Sequence, residues 1–201
     1  MKPAWAGFIW HASFCGGWMC WNGEAEERPR VICDNMKANR VEPRAQAYGE
    51  WWWDGDWSSV HGYLGFRLTP PSWDHLHIHT GLWLHGWYHL YSNDHWYNSA
   101  YALADLRTWV QVHQNFWRGR QYRRQFYMRG DELHPTRCGR IDRLCRHSYY
   151  TNVGAGDTVT IMVGAYLHCY ARAGGNHSIL DFMTGAANYV YIPYVYWYLH
   201  H

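Results

Sequence analysis

The sequence predicts an all-β protein, an antiparallel jelly-roll sandwich with a Trp-rich N-terminal arm. Three observations carry this. From Asp74 to Tyr91 the chain keeps a long two-residue alternation, mostly aliphatic residues against rings, turn residues punctuate the remainder at short intervals, and nowhere do strand patterns alternate with helical ones. Successive side chains of a strand point to opposite faces. Leu76, Ile78, Thr80, Leu82, Leu84, Tyr88 and Leu90 therefore share a core face, and His75, His77, His79, Trp83, His85, Trp87, His89 and Tyr91 share the other.

In chain order, residues 1–28 form the arm, where Trp5, Phe8, Trp10, Phe14, Trp18 and Trp21 interleave with glycines before an acidic E-A-E-E. So many exposed indoles are too adhesive to stay in water. The arm either anchors on a partner, through Trp5, Trp10, Trp18 and Trp21, or adds a strand to the domain. From Arg30, short segments punctuated by Gly, Pro and Asp lead to the long strand, as antiparallel folds require. Tyr101 to His113 fits both a helical stripe (Leu103, Leu106, Val110) and a half-buried strand. Farther on, Ala155-Gly156-Asp157 reads as a turn, Thr158 to Tyr166 as a β-branched strand, Ala173-Gly174-Gly175-Asn176 as a turn and Ser178 to Met183 as a strand. The main domain is placed at 29–187. A last aromatic run, 188–201, contains Pro193 and is expected at a sheet edge.

Composition narrows the function. With 201 residues and 48% hydrophobic content the chain can bury one core. Aromatic residues make up 19%, including 15 Trp and 17 Tyr, as binding or contact faces demand. A formal charge of +2 gives no global field toward nucleic acid or anionic lipid, while 15 His leave room for acid-dependent behaviour. No apolar run approaches the ~18 residues of a membrane-spanning helix, so no membrane insertion is expected. The start, Lys2 before A-W-A-G-F-I-W, is broken by His11 and lacks a small-residue cleavage site, so it reads as mature sequence. Among six cysteines, pairing of Cys15 with Cys20 or Cys138 with Cys145 is conceivable outside a cell, and spacing does not choose a connectivity.

The order of several motifs resembles one superfamily. An R-P-R-V opening, an L-T-P segment, T-G-L-W-L-H-G-W-Y-H-L-Y, then A-L-A-D-L-R, V-G-A-G-D-T-V-T-I-M-V and H-S-I-L-D-F are similar to the tumour-necrosis-factor-like jelly rolls. That superfamily includes the globular heads of complement's first component and many phage fibre and head-decoration domains. The resemblance spans roughly residues 29 to 187. It departs from the family in its load of Trp and His and in the extension beyond Tyr189. It implies a non-catalytic homotrimer, a virion structural protein partnered by other capsid or tail proteins. Trp83, Trp87 and Tyr91 then face a neighbouring subunit.

Other clusters are weighed against this. Trp51, Trp52, Trp53 and Trp57 with Asp54 and Asp56 have the ingredients of a glycan platform, since indole faces stack on pyranose rings while carboxylates take hydroxyl hydrogen bonds. His75, His77 and His79 have H-x-H metal spacing, yet the further ligands of a βα barrel are missing, so a surface row is the default and no metal or other cofactor is expected. His134, Cys138, Cys145 and His147, like His11, Cys15, Cys20 and Cys33, lack the C-x2-C pairs of a zinc knuckle. Arg118, Arg120, Arg123, Arg124 and Arg129 with Tyr122, Phe126 and Tyr127 could grip a phosphate backbone, but the run is short and Asp131 and Glu132 follow. The reading that results is a trimeric phage knob or decoration subunit in the virion, touching a host glycan. The alternative is a secreted carbohydrate-binding lectin. A metal-dependent hydrolase and a nucleic-acid-binding module rank below both.

Overall fold

The protein is seen as a computed structural model that describes residues 5–23, 28–33, 38–49, 55–92, 101–114, 116–130 and 136–200. Among the described residues there is no α-helix. The strands are β1 (Trp5–Ile9), β2 (Phe14–Trp21), β3 (Arg30–Ile32), β4 (Arg40–Tyr48), β5 (Gly55–Leu68), β6 (Asp74–Tyr91), β7 (Tyr101–Gln114), β8 (Phe116–Gly130), β9 (Thr136–Val153), β10 (Val159–Arg172), β11 (His177–Asp181), β12 (Tyr189–Tyr191) and β13 (Val195–His200).

They form two antiparallel sheets, and the chain crosses repeatedly between them, as in a jelly roll. One is an 8-stranded sheet built on β6. Along one side of β6 run β13, β12 and β11 in succession, and along its other side runs β9 for its whole length. The other is a 5-stranded sheet in the order β2-β5-β10-β7-β8.

The alternation of β6 holds throughout. Leu76, Ile78, Leu82, Leu84 and Leu90 are buried, and they meet Val60, Leu64, Phe66, Leu106, Val110, Ile161, Val163 and Leu167 of the facing sheet in one core. Each such side chain removed from water contributes about 2 kcal/mol. The segment with two periodicities is a strand, β7, whose inward residues are Ala102, Ala104, Leu106, Thr108, Val110 and Val112. The turn at 173–176 forms as expected, with Asn176 N–H donating to the Ala173 carbonyl at 3.3 Å and Gly175 at φ 83.

The Trp-rich arm is two strands of the sandwich. β1 pairs with β13 in the larger sheet, and β2 pairs with β5 in the smaller. Buried Asn39 stitches the crossover. Its Oδ1 accepts from Ala12 N–H at 2.9 Å and its Nδ2 donates to the Trp10 carbonyl at 2.6 Å. Its φ of 52 is one that asparagine tolerates better than most residues. A disulfide between Cys15 and Cys33 ties β2 to the chain after β3. The Cys15–Cys20 and Cys138–Cys145 pairings are thus not formed. Each lies within a single strand at odd spacing, which sends the thiols to opposite faces.

At the C-terminus the aromatic run does not lie at an edge. Pro193 falls between β12 and β13, where it removes no ladder donor, and β13 is flanked by β1 and β6.

Candidate functional site

The outward residues of the smaller sheet form rows that cross it from edge to edge. Strand register places Trp18 beside His61, His61 beside Tyr166, Tyr166 beside Arg107 and Arg107 beside Arg124. The next row runs Gly16, Tyr63, Gly164, Trp109, Tyr122, and on the other flank runs Cys20, Ser59, His168, Asp105, Tyr127. Neighbouring rows are about 7 Å apart, two residues along a strand.

Glycines let the rings fold over the sheet. A Cβ on Gly164 would collide with the Gly62 carbonyl and meet the Trp109 ring at 3.0 Å, so Trp109 lies across it and is buried on what would otherwise be an exposed face. Above this floor, Trp18 stacks on His61 with centroids 3.9 Å apart and planes 9° from parallel. His61 in turn meets Tyr166 at 4.6 Å. One indole face is thereby covered while 52% of Trp18 stays exposed.

Polar groups edge the rings. Ser59 Oγ lies 2.8 Å from His168 Nδ1 and 3.3 Å from the Tyr166 hydroxyl. Buried Asp105 accepts from Arg107 Nε at 3.0 Å and Nη2 at 2.6 Å, and from Arg124 Nε and Nη2 at 3.1 Å each. Arg120 sits over the Trp109 ring at 4.8 Å and donates to the Tyr122 hydroxyl at 2.6 Å. Burial, and secondarily the Arg120 charge, lowers the His61 pKa to about 4, so this imidazole is neutral at pH 7. Burial likewise lowers His168, whereas the hydrogen bond to Asp105 raises Arg107.

These side chains enclose a depression of about 370 Å³ walled by Trp18, Cys20, Ser59, His61, Arg107, Tyr122 and Tyr166. Its size suits a small ligand such as one or two sugar rings. Rings to stack on and hydroxyl and guanidinium donors at the rim equip it to bind.

The outer face of the larger sheet is aromatic as well. His77 stacks on Tyr198 at 4.6 Å and on Tyr150 at 6.1 Å, and His79 stacks on Tyr198 at 5.7 Å while its Nδ1 lies 2.9 Å from Ser148 Oγ. His75, His77 and His79 thus stand as a row, and among the described residues no three His, Cys, Asp or Glu side chains gather as a metal-binding group. Trp83 stacks on His85 at 5.9 Å and Tyr91 on His177 at 5.5 Å, with Trp87 beside the Thr184–Asn188 loop. A groove of about 560 Å³ opens where Gly81 leaves the face bare, between Trp83 on one side and Phe8, Tyr194 and Tyr196 on the other.

No family model matches the chain, and no curated protein matches it. Among solved structures it is similar to the carbohydrate-binding module TmCBM61 in complex with β-1,4-galactotriose, at 8% identity and TM-score 0.25 over 94% of this chain and 92% of that one. A family 35 carbohydrate-binding module from Clostridium thermocellum gives 11% identity and TM-score 0.24 over 92% and 99%. A family 11 module from Clostridium thermocellum, in complex with a β-1,3-1,4-mixed-linked tetrasaccharide, gives 10% and 0.21 over 84% and 96%. At such TM-scores the likeness carries no argument. The sandwich rests on its own strand pairing.

The residues expected to act are distributed differently from the expectation. Trp51, Trp52, Trp53 and Asp54 lie outside the described residues. Trp57 and Asp56 are adjacent on β5 and so point to opposite faces, Trp57 outward near His168 and Asp56 buried toward the core side. Of the expected anchors, Trp5 and Trp10 lie with the larger sheet, the first on β1 and the second just beyond it, and Trp18 and Trp21 lie on β2. Only Trp18 reaches the depression. His61, Tyr166, Arg107 and Ser59 were not foreseen as a group. Each shows the two-residue alternation of its strand, but their convergence depends on the strand order.

Proposed function

We propose that the chain is a carbohydrate-binding protein that holds a sugar on the outer face of its smaller sheet. The observation that carries this reading is the row in which a half-open indole, backed by a neutral imidazole, leads across Tyr166 to a fixed guanidinium. The apolar face of a pyranose packs on Trp18 and on Tyr122, which is 41% exposed. Ring hydroxyls meet Ser59, the Tyr166 hydroxyl and Arg107 at the rim. Binding alone, with no bond made or broken, accounts for these side chains.

A glycan array followed by titration calorimetry tests it. Trp18→Ala and Tyr122→Ala each weaken the best ligand about tenfold or more, in line with the ~1.4 kcal/mol per decade expected for a lost stacking ring. Trp73→Ala, at an indole 76% exposed and away from the face, leaves affinity unchanged. An array with no bound glycan, or affinity untouched by both ring deletions, rejects the reading.

A second reading draws on the larger sheet, where Phe8, Trp10, Trp83 and Tyr150 are exposed together with the edges of Trp87 and Tyr91. Apolar surface of this kind suits contact between copies of the chain, in the threefold arrangement that the motif order implies. Sedimentation equilibrium at micromolar concentration giving the mass of one chain excludes it.

A further inference from the structure

The charge on the proposed binding face is one-sided. The outward positions of β5, β7, β8 and β10 carry Arg67, Arg107, Arg120, Arg124, Arg129 and Arg172, and among the described residues the only acid turned to that face is Asp105. The whole chain has a formal charge of only +2, so positive charge is concentrated here and the remainder of the molecule is net negative. Most of these arginines already lie against rings: Arg67 over Phe14, Arg120 over Trp109, Arg124 over Tyr127 and Arg129 over Tyr101. They are held by the face itself.

At its centre Asp105 is 4% exposed and shared by two guanidiniums through four hydrogen bonds. One carboxylate balances one of them. The other charge is left over, and Arg107, whose Nε and Nη2 are engaged by Asp105, still walls the depression. A guanidinium fixed in this way by its Nε and Nη2 loses little freedom on meeting an anion, and its remaining Nη hydrogens are charged donors suited to a carboxylate or sulfate.

We propose that the glycan is acidic, a polysaccharide bearing carboxylates or sulfates, with one anionic group seated on Arg107 and Arg124 while the adjoining ring packs on Trp18. This deepens the glycan-binding reading and rests on it. A polyphosphate chain is the less favoured anion. The depression beside Trp18 is sized for a sugar ring and edged by the Ser59 and Tyr166 hydroxyls, which pair with ring hydroxyls that a phosphate chain lacks.

The test uses the whole protein against polygalacturonate, alginate, hyaluronan and heparin, each beside its carboxyl-reduced or desulfated counterpart, together with a single-stranded DNA oligonucleotide. The inference expects at least one acidic polymer to bind, its neutralised form to bind at least tenfold more weakly, and raising salt from 0.05 to 0.5 M to weaken only the acidic form. Arg107→Gln reduces the preference for the acidic form, and Arg107→Lys restores part of it. Trp18→Ala weakens both forms alike. Equal binding of the paired polymers, or binding of neutral polysaccharides only, overturns the acidic inference and leaves glycan binding standing. Failure of every polysaccharide overturns both, and DNA binding tighter than any polysaccharide assigns the face to nucleic acid instead.

Discussion

Gly164 determines whether Trp109 can lie across the centre of the smaller sheet, because the space a side chain would need is held by the Gly62 carbonyl and the indole itself. Gly164→Ala therefore costs about 2–3 kcal/mol through overpacking, which calorimetry registers as a Tm lower by roughly 5–10 °C for a chain of this size. His61 and His147 set the acid limit. Burial brings both to about 4 from 6.5, with Arg120 and Arg123 respectively adding to the effect. His147 also lies 2.7 Å from Thr108 Oγ1 through its Nε2. Because these folded-state values lie below the unfolded one, the unfolded chain binds more protons between pH 6.5 and 4. Stability is thus complete above pH 6.5 and falls as the pH drops toward 4. Urea midpoints measured across that window decline in the parent and decline less in His147→Gln. A flat profile would contradict the burial of both imidazoles.

At the level of single strands, β6 provides the sharpest contrast. Ile78→Asp places a carboxylate in the core and unfolds the protein or lowers its stability by more than about 4 kcal/mol, whereas His77→Asp one position earlier changes it by about 1 kcal/mol. Circular dichroism melts of the two variants check this. The same contrast explains what could be read in advance. The faces of β6 were legible because the aliphatic residues all fall on one side of it and, apart from Tyr88, the rings fall on the other. β7 was ambiguous because its outward side also carries large apolar groups, Leu103 and Trp109, and Trp109 is only 1% exposed, so polarity no longer marks the face. For the arm two readings stood open, since exposed indoles such as Trp5 at 53% also carry the signature of a sticky tail; the added-strand reading fits the pairing, with two strands rather than one.

Across the whole molecule, the candidate site joins residues far apart in the chain. Trp18, His61, Tyr166, Arg107 and Arg124 belong to five different strands, and their sequence order differs from their order across the sheet. A periodicity shows which way each side chain points but not which strand lies beside it. The sandwich was therefore readable from turns and alternation, while the row that would hold a sugar emerges only from pairing β10 between β5 and β7. The Arg and Tyr content of β8 was noticed as a local run. Its meaning changes once Asp105 is seen beneath Arg124.

Cys20 gives this arrangement a practical use. It is an exposed thiol on the rim of the depression, whereas burial pushes Cys145 up to about 11 and Cys169 up to about 12, and Cys15 and Cys33 are bonded to each other. With Cys138→Ser in place, a maleimide dye at pH 7.5 attaches once, at position 20, because buried and protonated thiols are inert. Fluorophore brightness then reports occupancy in real time, turning the rim itself into the sensor for whatever molecule settles there.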